Sequence, residues 1–181
     1  GIDSILKAGG ASVNGSVNEL SDVRSGAGNV TGIEQKPAYV AGPVEVVIVY
    51  EDTNSMNNAV LTKINNTIET LKSQGFEVNT EYLKFAIGAA NTGIWSNAKA
   101  KIEEAVTILK TKNIPNTTKW IVLAAAANNY NPNSTEVAAL AKKMIDERII
   151  FTVVDQDTGN NTANDIETAF IQYSEGIRYY A

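Results

Sequence analysis

The chain has 181 residues, a net charge of −5 and 44% hydrophobic residues, enough for one domain with a real core but no basic surface for a nucleic acid. It contains no cysteine and no histidine, which excludes disulfides, thiol chemistry, Ser-His-Asp and Cys-His catalysis and His-rich zinc sites. No apolar run reaches the ~18–20 residues of a membrane helix.

Residues 1–43 differ from the rest. They are rich in Gly, Ser, Val and Asn, and their apolar residues, from Ile2 through Val23 to Val40, are scattered without a long period. A short helix around Ile2–Leu6, a weak strand over Ala11–Val17 and an edge segment between Pro37 and Pro43 are the local expectations. The segment reads as an extended arm, docked on its own domain or on a neighbouring subunit. A segment this short does not fold unaided, so its apolar residues must bury against something.

Val44 to Tyr50 is an apolar, β-branched run, the pattern of a strand buried on both faces of a parallel sheet. It stops at the polar turn Glu51–Ser55. A helix is expected from Asn57 to Gln74, with Val60, Leu61, Ile64, Ile68 and Leu71 on one face, a cap at Ser55 or Asn57, and Gly75 in the left-handed closing position. Phe76 to Ile87 alternates and predicts one bent strand or a hairpin. After the turn Gly88–Gly93, a helix runs from about Asn97 to Lys112, capped by Ser96.

Trp120–Ala127 is a second apolar strand, and Asn128–Ser134 the polar loop behind it. Asn133 and Glu136 stand in capping-box spacing before a helix with Val137, Leu140, Ala141, Met144 and Ile145 inward. Ile149–Val154 is a third buried strand. A helix over about Ala163–Ser174 follows, with Ile166, Phe170 and Tyr173 inward, and Gly176–Ala181 closes the chain as a short strand. This order predicts an α/β fold: an open, mainly parallel, Rossmann-like sheet with helices on both faces, in a domain over residues 44–181 behind the arm. The loops Glu51–Ser55, Gly88–Gly93 and Asn128–Ser134 then meet at the carboxyl ends of the strands, where open α/β sheets place their ligands.

Other constellations read as ordinary surface. Asp155-x-Asp157-x-Gly159 lacks the twelve-residue calcium pattern. The adjacent pairs Glu103-Glu104 and Glu51-Asp52 are not set across a cleft as acid and base must be. The turn after the first strand holds no glycine to cradle a phosphate. The Asn-x-Ser/Thr triplets at Asn14, Asn29, Asn65, Asn116, Asn133 and Asn160 are what an Asn- and Thr-rich chain gives by chance.

The stretch Val-Ile-Val-Tyr-Glu-Asp-Thr-Asn-Ser-Met resembles the first strand and first metal loop of the von Willebrand factor A domain, usually an apolar strand followed by Asp-x-Ser-x-Ser. Glu51, Thr53 and Ser55 fall on the three ligand positions. Lys119-Trp-Ile-Val-Leu is similar to that family's fourth strand, and the element order from Val44 to Ala181 follows it. The resemblance implies an adhesion-type, non-enzymatic domain that binds a protein through the carboxyl edge, with Asp52, Asn54, Thr92, Trp95, Asn128 and Asn129 as contact residues. It also implies a Mg²⁺ or Mn²⁺ site at Glu51, Thr53, Ser55 and Thr92, but Ala126 stands where the family has its third-loop Asp, so the expectation is binding without metal. The alternative is a structural subunit of a filament, pilus, sheath or virion whose arm docks on neighbours. Either role places the protein outside the cell, on its surface or on a virion.

Overall fold

The computed structural model describes residues 42–154, apart from Ser55, Asn113 and Pro115, and residues 165–171. The expected arm up to residue 41, the loop with Asp155 and Asp157, the helix residue Tyr173 and the closing strand Gly176–Ala181 lie outside the described residues. Among the described residues four strands form one sheet: β1 Val44–Glu51, β2 Val78–Phe85, β3 Thr118–Ala124 and β4 Ile149–Val154, in the order β2-β1-β3-β4. All pairings are parallel. β1 is held on both sides, with Val44 opposite Val78 and Thr118.

The helices are α1 Leu61–Ser73, α2 Trp95–Lys110, α3 Ser134–Asp146 and α4 Asp165–Ile171. A π-helical turn, Met56–Val60, leads into α1. The sheet separates two apolar layers. On one side Val46, Ile48, Trp120 and Val122 pack with Val60, Ile64, Ile68 and Leu71 of the α1 segment. On the other, Val47, Val49, Ile121 and Leu123 pack with α2, α3 and α4 through Ile102, Leu140 and Phe170. Both layers follow from the period of two along each strand, which sends alternate residues to opposite faces.

Local expectations and structure differ in four places. The stretch from Phe76 to Ile87 holds a single strand, Val78–Phe85, paired without a break to β1, and not the hairpin alternative. Among the described strands β2 lies at the sheet end; Asn79, Glu81, Tyr82 and Lys84 are exposed, while Val78 and Phe85 are buried, each in a different layer. Thr53 Oγ1 accepts from the Met56 N–H at 3.3 Å at the start of the first helical segment; Asn57 lies inside that segment, and the other expected cap, Ser55, lies outside the described residues. Ser96 caps nothing: α2 begins at Trp95, and the capping position is Ile94. Ile145 points outward, 41% exposed.

Elsewhere the local signals hold. Gly75 takes φ +98°, and the N–H groups of Gly75 and Phe76 donate to Lys72 and Leu71, closing α1 with paired reverse bonds. Asn133 Oδ1 accepts from the Glu136 N–H at 3.0 Å at the start of α3. At the amino edge, the nearly buried Glu45 is satisfied by Asn79 Nδ2 at 2.7 Å and Lys112 Nζ at 3.7 Å.

Candidate functional site

β1 is central, and the chain runs from it to β2 on one side before crossing to β3 on the other. The order therefore reverses between β1 and β3, and a crevice opens beyond their carboxyl ends, as in any open α/β sheet. The loops after β1, β2 and β3 meet there. Thr92 and Asn128 form a parallel bridge, the Gly93 N–H donates to the Asn128 carbonyl at 2.8 Å, and the Gly88 N–H to the Thr92 carbonyl at 2.7 Å.

Glu51 ties the crevice shut at its base. The residue is 2% exposed, and its Oε1 accepts from the Ala127 N–H at 3.0 Å and the Tyr130 hydroxyl at 2.7 Å. A buried carboxylate is tolerated only with such donors. Burial first, and then the hydrogen bond to and charge of Glu51, push the Tyr130 phenol well above the ordinary tyrosine range. Tyr130 sits edge-on to Phe85, ring centroids 6.3 Å apart, and its ring lies against Gly93. A methyl group on Gly93 would come within 2.4–2.6 Å of ring carbons, so only glycine fits.

Above this latch lies an open cleft of about 520 Å³ whose walls include Glu51, Asp52, Asn54, Gly88, Asn91 and Ala126. Asp52 is exposed, and its Oδ1 accepts from Asn57 Nδ2 at 3.1 Å. The loops carry an unusual number of left-handed backbones for residues other than glycine: Ala90, Asn91, Asn129 and Asn131, with φ of 55°, 56°, 63° and 49°. Asparagine adopts this region readily; alanine does so at a cost.

Of the expected contact residues, Asp52, Asn54, Thr92, Asn128 and Asn129 are exposed on the three loops, and Asp52 and Asn54 line the cleft itself. Trp95, expected at the rim, is 8% exposed; its indole N–H donates to Glu136 at 2.7 Å and its ring packs near Phe170. Ser55 lies outside the described residues.

Two of the oxygen atoms expected in a Mg²⁺ or Mn²⁺ shell are engaged in the fold. Glu51 Oε1 holds two donors, Thr53 Oγ1 accepts from Met56, and position 126 offers only a methyl group. Among the described residues no three acidic side chains gather. A hard cation needs several carboxylate, hydroxyl and water oxygens at once, and this arrangement fits it poorly.

Sequence reasoning missed Tyr130, the lone aromatic in an Asn-rich loop. It also missed the inward turn of Glu51, which period-two alternation from Val47 and Val49 foreshadows. Comparison of the chain with protein-family models, with characterised proteins and with solved structures finds no match.

Proposed function

We propose that the domain is a non-enzymatic protein-binding module of adhesion type, which engages its partner through the loops at the carboxyl edge and does so without metal. The observation that carries this reading is the use of Glu51. The carboxylate in the first-loop ligand position is turned into the crevice to receive Ala127 and Tyr130, so the loops are fixed by the protein's own donors. A rigid edge bearing Asp52, Asn54, Asn128 and Asn129 supplies hydrogen-bonding groups at low ordering cost on association. The likeness of Val47–Met56 to the A-domain strand and loop supports the same reading. In it, the domain works outside the cell or on a virion surface.

The test is site-specific photo-cross-linking in an extract of the native source. Photoreactive side chains at positions 54, 91 and 129 are compared with the same group at Thr62 and Thr107, exposed on α1 and α2. A discrete adduct from the edge positions alone is expected. Equal labelling from the helices would overturn the reading.

A second reading, a structural subunit of a filament, pilus, sheath or virion, draws on one observation. Among the described strands β2 stands at the end of the sheet, and an extended arm from a neighbour pairs with such an edge. Adducts of twice the subunit mass, with ordered polymers in the electron microscope, would favour it.

A further inference from the structure

We propose that the cleft at the carboxyl edge takes a basic side chain, lysine or arginine, of the protein partner. This inference rests on the protein-binding reading and names what that site grips. Two carboxylates, Glu51 and Asp52, line the cleft, and no basic residue does so among the described residues. Of the two, Glu51 carries the stronger observation. It is 2% exposed, it lines the cleft, and both of its hydrogen bonds fall on Oε1. No hydrogen bond to Oε2 is found among the described residues.

A buried carboxylate that lines a cleft and has hydrogen bonds on one oxygen alone is matched by a cation that brings its own N–H groups. Asp52, fixed at the rim by Asn57, adds the second negative end. The walls between them, from Ile87 and Ala126, are apolar and suit the methylene stem of a long basic side chain. The net charge of −5 on the whole chain steers a basic surface toward the site. An inorganic cation would need more oxygen ligands than these residues free, whereas an ammonium or guanidinium group needs only acceptors in its hydrogen-bonding directions.

The test is an amide-resolved NMR titration of the full chain with N-acetyl-lysine methylamide and with its arginine counterpart. The Nζ-acetylated lysine derivative is the neutral control, and MgCl₂ at matched ionic strength is a third arm. Saturable shifts at Asp52, Asn54, Gly88 and Asn91 with the cationic probes, and none with the neutral control, are expected. The variant Glu51→Gln keeps an acceptor for Ala127 and Tyr130 while removing the charge, so it retains the fold. Combined with Asp52→Asn, it should weaken the cationic probe by about tenfold or more.

Equal binding of the acetylated control, or unchanged affinity in the double variant, overturns the proposal. So does saturation by Mg²⁺ with no response to either amine. Silence to both amines with edge cross-links intact overturns the cation site alone and spares the protein-binding reading. Amine binding without edge cross-links supports the cation site and removes the protein partner.

Discussion

The hydroxyl of Tyr130 donates to the carboxylate of Glu51 at 2.7 Å, joining the end of β1 to the loop beyond β3 across 79 positions of sequence. Glu51 also receives the Ala127 N–H, so one oxygen atom orients two segments of that loop. The variant Tyr130→Phe keeps the ring and removes one donor. Urea denaturation should show a loss of about 1–3 kcal/mol with an unchanged m-value, the penalty for a buried polar group stripped of a partner.

The same contact predicts a pH dependence. The Tyr130 phenol is raised in the folded state, chiefly by burial and then by Glu51, so the native protein holds a proton that the unfolded chain releases. Its contribution to stability is fully present below the unfolded-chain value of about 10 and declines as pH rises beyond it. The stability of the parent protein should therefore fall more steeply above that pH than the stability of Tyr130→Phe. Parallel slopes in the two proteins would contradict the assignment.

Gly93 gives a test of packing at the same point. A Cβ there would lie 2.4 Å from the Tyr130 ring, and the ring is hemmed in by Phe85. Gly93→Ala should destabilise by about 1–3 kcal/mol. In a Tyr130→Ala background the same change should cost far less, because the obstructing ring is gone. A double-mutant cycle measures this coupling; additive effects would show that the clash is relieved elsewhere.

Metal dependence follows from position 126. Millimolar Mg²⁺, Mn²⁺ or Ca²⁺ should leave the thermal midpoint where excess chelator leaves it. Ala126 lines the cleft, so Ala126→Asp adds a carboxylate there. That variant should gain a metal-dependent rise in midpoint, about 2.7 kcal/mol of added stability once the ion reaches a hundred times its dissociation constant. A rise in the parent protein would contradict metal-free operation.

Two serviceable-looking caps should behave differently. Asn133→Ala removes the acceptor for the Glu136 N–H and should cost about 1 kcal/mol. Ser96→Ala removes an exposed hydroxyl inside the first turn of α2 and should change stability by less than about 0.5 kcal/mol. Chemical denaturation of both variants is sufficient.

What was legible in the sequence were features set by near neighbours. The β-branched run from Val44, the three-and-four spacing of Ile64, Ile68 and Leu71, the glycine at position 75 and the Asn133–Glu136 pair all state a local preference, and each element formed where that preference lay. The strand Val78–Phe85 was read less well because its interior carries Asn79, Glu81 and Lys84. Those exposed residues suit a strand at the end of the sheet, which β2 is among the described strands, and that position is decided by pairing. The convergence of the three loops followed from strand-helix order alone. The latch did not, because Glu51 and Tyr130 meet only after β3 has been laid beside β1. Ser96 and Trp95 illustrate the same limit: a helix start fixed by the burial of Trp95 overrides a nearby residue well suited to capping.

The register of β1 bears on how the molecule assembles in time. Val44 pairs with Val78 and with Thr118, so the β1–β2 contact closes the shorter loop and the β1–β3 contact the longer one. Long-range parallel pairing is intrinsically slow, and the bond between Glu51 and Tyr130 forms only once the later pairing is complete. Interactions made after the rate-limiting barrier govern the rate of escape from the native state, not the rate of arrival. The Tyr130 hydroxyl is thus expected to act as a brake on unfolding: in stopped-flow kinetics Tyr130→Phe should unfold faster than the parent and refold at nearly the same rate.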